Sequence, residues 1–184
     1  HTPDDEVRGT LQIAVPSDLG RNLLLDVFRR FRERHPALRL RILFSDHRTD
    51  VFKDPVDVAF RYGDNDDASF VSLPVAPENR RVLVASPAWI ARHGEPKTLA
   101  DLEKCNALTY VLRGSVFDRW SLSRDGVEHQ VQVSDSITSD DAEVIRRLAI
   151  AGEGIAFKSA LDVSDDLREG RLQVLLPDYK GDKV

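Results

Sequence analysis

Leu11, Ile13 and Val15 alternate with Gln12 and Ala14; Leu23, Leu24, Val27, Phe28 and Phe31 follow at helical spacing; Leu38, Leu40 and Ile42 then alternate with Arg39 and Arg41. A period of two, then 3.6, then two reads as strand, helix, strand. No other feature of the chain constrains its fold as strongly. Two strands joined through a helix lie parallel, because the connection has to cross over the sheet. The punctuation agrees. Pro16-Ser17-Asp18 breaks the first strand and offers an N-cap. Arg29, Arg30, Arg32 and Glu33 occupy the other face of the helix. Pro36 stops it, since the residue before a proline resists the helical region.

The remaining chain repeats this grammar. Residues 56–60 form a short apolar run around Asp57, a third strand ending at Arg61-Tyr62-Gly63. A polar turn at 64–68 and a strand over Val71 to Val75 are expected next. Val82 to Val84 reads as a buried strand, and Ser86-Pro87 caps a helix with proline at its first position. Thr98 opens a short helix through Leu102. Residues 107–112 and 127–133 read as strands, and Arg124-Asp-Gly126 as the hairpin turn that follows Trp120-Ser-Leu122. Asp140 begins the clearest helix, with Glu143 at capping-box spacing and Ile145, Leu148 and Ala149 as its stripe. Gly152 ends that helix, Ile155 to Phe157 is a strand, Ser159 to Glu169 a helix stopped by Gly170, and Leu172, Val174 and Leu175 a last strand. The alternation runs twice around a break near residue 80. It predicts an α/β protein of two Rossmann-like lobes with a cleft between them, because ligands of such sheets sit outside the carboxyl ends of the strands.

Composition narrows the function. The chain has 184 residues, 41% hydrophobic and 31% charged, which is globular. A net charge of −5 without a Lys/Arg-dense face argues against autonomous nucleic-acid binding. Cys105 stands alone, so no internal disulfide forms, which fits a reducing compartment. No apolar run approaches the roughly 20 residues a membrane helix needs, and the N-terminus does not read as a signal peptide. A chain that starts at His1 and contains no Met is expected to be a fragment or a processed form. His1, His35, His47, His93 and His129 share no metal-ligand spacing, so no metal is expected. His35 and His93 read as helix-end residues. The one basic residue patterned around Cys105 is Lys104, and the cysteine reads as a plain core or surface thiol. Gly152-x-Gly154 is preceded by a helix and followed by a strand, the reverse of a dinucleotide loop, so no cofactor is expected. No positioned nucleophile and base can be placed, which argues against an enzyme. The arginines from Arg29 to Arg48 read as a solvated face, with a protein interface as the alternative.

Several segments, in this order, carry a resemblance. They are Gly9-Thr-Leu-Gln-Ile-Ala-Val-Pro16, Gly20-Arg-Asn-Leu-Leu-Leu25 with Phe31 and His35-Pro36, and Asp57-Val-Ala-Phe-Arg-Tyr-Gly63. Ala85-Ser-Pro-Ala-Trp-Ile-Ala-Arg-His-Gly94 and Gly152-Glu-Gly-Ile-Ala156 follow, with Lys158-Ser159 and Gly170-Arg-Leu172. Over residues 9–179 the chain resembles the effector-binding domain of LysR-type transcriptional regulators. The resemblance implies a type 2 periplasmic-binding-protein-like fold: a linker over 1–8, a first lobe over 9–81, a second over 82–176, and at 177–184 the start of a return crossover. It also implies that the DNA-binding winged helix-turn-helix, and the strand and helix by which relatives return to the first lobe, lie outside this sequence. Asp26 stands where many relatives have proline, which implies a straighter helix.

The same reading nominates a site. Ser17 and Asp18 occupy the first βα turn, and Ser139 and Asp140 the equivalent turn of the second lobe. A helix start favours anions, while plain capping is the alternative reading. Arg61 and Tyr62 end the third strand and Lys158 ends a strand of the second lobe. Their cations suit a carboxylate, or an ion pair within the protein. The expectation is a small organic effector, anionic rather than cationic, held between the lobes of a cytoplasmic, non-enzymatic sensor. The partners implied are a second copy, through the helix Arg21 to Arg34 or the strand Leu38 to Phe44 of the first lobe, and DNA only through the absent domain; no membrane is implied. A solute-binding protein of a transport system is the alternative.

Overall fold

A computed structural model describes residues 6–47, 55–63 and 69–184. The polar turn expected at 64–68 and most of the expected linker lie outside them. The chain divides into two compact units, one up to Arg61 and one from Tyr62 onward.

The first unit is the predicted βαβ with one more strand. β1 (Gly9–Val15) lies between β2 (Leu38–Phe44) and β3 (Val58–Ala59), and both neighbours run parallel to it. The crossover is a helical rod without a break: α1 (Ser17–Leu19), a π-helical turn (Gly20–Leu24) and α2 (Leu25–Arg34). Gly20 lets the rod approach the sheet, because a Cβ there would come within 2.5 Å of Val15 Cγ2. Ile13, Val15 and Phe28 are the buried centre, with Leu11, Leu24, Leu40, Ile42 and Phe60 packed on it. The third strand is shorter than the 56–60 run suggested.

The second unit has a larger mixed sheet. Its strands are β4 (Arg81–Ala85), β5 (Asn106–Leu112), β6 (Ser115–Val116), β9 (Ser134–Ser139), β10 (Ile155–Ser159) and β11 (Gln173–Val174). Their order is β11-β4-β10-β5-β6, with β9 also on β5. β10 runs parallel to β5 and antiparallel to β4. The hairpin β7 (Arg119–Arg124) and β8 (Val127–Gln132) turns through Asp125 and Gly126, both at positive φ, as the Asp-Gly pair predicts. β12 (Lys180–Gly181) lies antiparallel on β7.

Helices α3 (Pro87–His93), α4 (Leu99–Glu103), α5 (Ala142–Ile150) and α6 (Ser164–Arg168) complete this unit. Alternation along β4 shows why its strands are apolar throughout. Leu83 and Ala85 join Trp89, Trp120, Ile155 and Leu175 in one core, while Val84 joins Leu108, Ile145, Ala149 and Val163 in another. A sheet covered on both faces needs both sets. Gly152 takes φ 83° where α5 stops, and Gly154 passes so close to β5 that a Cβ would meet the Asn106 carbonyl at 2.7 Å. The motif is a helix stop and tight turn, as read.

Three expectations fail. Val71 to Val75 is not a strand; Val71, Leu73 and Val75 are 79–93% exposed. The helix expected from Ser159 starts only at Ser164, because Ser159 belongs to β10 and the Ala160 N–H still reaches the Arg80 carbonyl at 2.9 Å. The cap of α5 is Asp141 rather than Asp140: its carboxylate accepts the N–H groups of Glu143 and Val144 at 2.9 and 3.3 Å.

Thr98 caps α4 as read, in a full capping box. The Asp101 carboxylate accepts the N–H of Lys97 at 3.0 Å and of Thr98 at 3.1 Å. The Lys97 bond first, then those with Thr98, hold the Asp101 carboxyl below the usual carboxylate range. A lowered folded-state value stabilises above the unfolded value of about 4 and is lost as pH falls through the folded one. Hydrogen exchange should therefore speed up at the Lys97 and Thr98 amides below about pH 4, after correction for intrinsic rates. In Asp101→Asn that acid-dependent step should be missing. A native protein with no such step would contradict the argument.

Candidate functional site

In the first unit three parallel strands deliver their carboxyl ends to one place. Ser17 follows β1, Ser45 and Asp46 follow β2, and Arg61 follows β3. The strand ends are laced by backbone bonds, Ser45 N–H to Val15 carbonyl and Phe60 N–H to Ala14 carbonyl, each at 2.9 Å. Side chains complete the cluster. Asp46 accepts the Ser17 N–H at 2.8 Å on one oxygen and the Ser17 hydroxyl at 2.6 Å on the other. Arg61 Nη1 donates to the Ser45 carbonyl at 3.2 Å. Asp18 is buried, and its carboxylate accepts Asn22 Nδ2 at 2.7 Å. Ser17, Asp18 and Arg61 thus surround one cluster of strand ends, where Asp46 is a member the sequence reading did not name.

In the second unit Ser139, Asp140 and Lys158 gather at the start of α5. Ser139 ends β9, and its hydroxyl accepts the Asp141 N–H at 3.1 Å. Asp140 is exposed at the bend between strand and helix. Lys158 is buried on β10 and reaches across to donate to the Ala142 carbonyl at 2.8 Å. Its ammonium therefore ties β10 to the first turn of α5.

Tyr62 belongs to a different cluster of the second unit. Its hydroxyl donates to the buried Asp162 carboxylate. Asn79 reaches the end of β10 and the residues after it, just before Asp162, donating to Ser159 Oγ at 2.8 Å and accepting the Leu161 N–H at 3.3 Å. Asn79, Asp141 and Asp162 were missed by sequence reasoning. Asp141 carries a signal, since either of two adjacent aspartates can cap. Asn79 and Asp162 carry none, because their partners lie 80 and 100 residues away.

Among the described residues no group of His, Cys, Asp and Glu could hold a metal ion, and no helix is long and apolar enough to cross a membrane. Burial, with Asp101 adding to it, pushes the Cys105 thiol up, which disfavours the reactive thiolate. Its Sγ donates to the Asp101 carbonyl at 3.2 Å.

Comparison with known proteins adds to this geometry. Residues 4–182 match the family model of the LysR substrate binding domain. The chain is 31% identical over 172 residues to the HTH-type transcriptional regulator DmlR of Escherichia coli, covering 94% of this chain and 56% of that protein. It is 30% identical over 177 residues to the HTH-type transcriptional regulator CrgA of Neisseria meningitidis, covering 96% and 58%. The solved regulatory domain of CrgA, a LysR-type transcriptional regulator, aligns with a TM-score of 0.83 at 27% identity over 95% of this chain and 87% of that one. The chain spans a little over half the length of the two curated regulators.

Proposed function

This chain belongs to the LysR substrate binding domain family, and from that membership we propose that it is the effector-sensing part of a cytoplasmic transcriptional regulator. The family match over residues 4–182 is the observation that carries the reading. The HTH-type regulators among its relatives favour it over a transport solute-binding protein. The effector is a small organic molecule. It draws on strand ends and helix starts, with Ser17, Asp18 and Arg61 as candidates in the first unit and Tyr62, Ser139, Asp140 and Lys158 in the second. A ligand shifts a conformational equilibrium only by its differential affinity for the two states, so sensing requires these contacts to differ between states. DNA is bound through a helix-turn-helix domain outside this chain. The protein pairs with a second copy through the helix Arg21 to Arg34 or the strand Leu38 to Phe44; Leu25, Val27, Phe31 and Phe44 are 39–52% exposed there. Sedimentation that shows only monomer at high micromolar concentration would argue against this pairing.

The test of the sensor is a thermal-shift screen against small carboxylates and aromatics. A true effector at 100 times its dissociation constant should stabilise the chain by about 2.7 kcal/mol. Replacing Lys158 by Ala should then weaken binding by about 1.5–3 kcal/mol, the worth of a hydrogen bond to a charged group, and so remove about half or more of that stabilisation at the same ligand concentration. If the ligand-free protein loses stability but the ligand's increment is unchanged, Lys158 is structural rather than an effector contact.

A further inference from the structure

In the first unit an anion already sits on the helix start, and it belongs to the chain itself. The two Asp46 oxygens take the two donors of Ser17, N–H at 2.8 Å and hydroxyl at 2.6 Å, the arrangement an external carboxylate or phosphate would adopt. Ser17 is 6% exposed and opens the helical rod that runs on to Arg34. The segment bearing Asp46 is held on both sides. Before it, the Ser45 N–H bonds the Val15 carbonyl at 2.9 Å, and Arg61 holds the Ser45 carbonyl. After it, the His47 N–H donates to Ser45 Oγ at 3.1 Å. Asp46 is therefore fixed on Ser17 by the fold.

We infer that Asp46 is a specificity-determining residue: it fills the donors of Ser17 with the protein's own carboxylate, so that the first unit refuses anionic groups of an effector at that point. An incoming anion has to displace Asp46, a carboxylate that already holds both donors of Ser17. Like charges repel, and refusing the wrong ligand by charge is a recognised route to specificity. Neutral or cationic groups that donate hydrogen bonds meet no such penalty. An anionic group on the effector would have to be received away from the Ser17 donors, by a cation such as Arg61 or Lys158. The inference takes its biological meaning from the effector-sensing reading above, but its test does not need the effector.

The 184-residue chain is prepared as wild type, Ser17→Ala, Asp46→Ala, Asp46→Asn, and Asp46→Ala combined with Ser17→Ala. Each is titrated with inorganic phosphate and with malonate at constant ionic strength, by calorimetry and by thermal unfolding. Wild type should show no saturable response that depends on Ser17. Asp46→Ala should bind at least about tenfold tighter, and the double variant should lose the gain. Asp46→Asn keeps an acceptor for Ser17 without the charge and should fall between. Saturable binding by wild type that Ser17→Ala abolishes overturns the inference, as does an Asp46→Ala variant that responds like wild type. Should the variants not fold, the wild-type Ser17 amide resonance decides: it should stay in place under phosphate, and a saturable shift overturns the inference. Failure of the sensor reading looks different: no compound in the screen stabilises any variant, while the anion results stand.

Discussion

Replacing Asp166 by Ala should destabilise the second unit by about 3–5 kcal/mol, among the largest costs of any single polar substitution in this chain. Asp166 is fully buried. Arg146 meets it in a fork, Nε to one oxygen and Nη2 to the other, both at 2.7 Å, and Arg171 Nε adds a third bond at 2.7 Å. The backbone joins in, as the Asp166 carbonyl accepts the N–H groups of Arg171 and Leu172. Arg146 is itself nearly covered and also lies 3.3 Å from the buried Glu143. This network fastens α6 and the segment after it to α5. Removing the carboxylate takes the main partner from the nearly buried Arg146 guanidinium, and a buried charge left without its partner is what makes breaking such a pair costly. Asp166→Asn keeps one acceptor and should cost less, about 1.5–3 kcal/mol. Arg168→Ala, which breaks an exposed pair with Asp165 close by, should stay within about 1 kcal/mol. Urea unfolding with an unchanged m-value measures all three. Equal costs for Asp166→Ala and Arg168→Ala would show that the network contributes nothing beyond a surface pair.

What was legible in the sequence follows from the range of the forces involved. The first βαβ unit, the Asp125-Gly126 hairpin and the Gly152 stop were readable because periodicity and turn chemistry are local. The two-lobe α/β class of the regulatory domains it resembles was readable from the same alternation, repeated. Val71 to Val75 was misread because apolar residues in alternation look like a strand whether or not a partner strand exists; here Val71 is 93% exposed. β9 was overlooked for the opposite reason. Ser134 to Ser139 has Ile137 as its one apolar side chain, yet backbone bonds to β5 make it a strand. At the candidate site, positions such as Ser17 and Ser139 follow from the rule that strand ends face the ligand. The partners that define their chemistry do not follow. Asp46 and Ser17 are 29 residues apart, and nothing in either segment names the other. Asp46 could have been nominated by applying the strand-end rule to β2 as well as to β1.

Trp89 should be the most costly core position to truncate, with Trp89→Ala losing about 3–5 kcal/mol. It is 1% exposed, in the middle of the Ser-Pro-Ala-Trp segment that carried part of the resemblance. Ser86 caps its helix by accepting the Trp89 N–H at 3.1 Å, so the ring is aimed by a rigid first turn into the cluster around Leu83 and Trp120. Its other face stacks on His93, ring centroids 4.8 Å apart and planes 23° from parallel. One atom is at odds with this setting: the buried indole N–H has no acceptor among the described residues. An unsatisfied buried donor costs about 1–3 kcal/mol, a penalty the native protein already bears. Trp89→Phe removes that donor while keeping most of the aromatic volume, so two effects oppose each other. The lost area and the small void destabilise; the relieved N–H stabilises. The net cost should fall below about 1.5 kcal/mol, far short of the alanine variant. Denaturant midpoints for the two variants separate the contributions. If Trp89→Phe proves as damaging as Trp89→Ala, the indole N–H is bonded in solution, and the core around α3 depends on that bond as well as on volume.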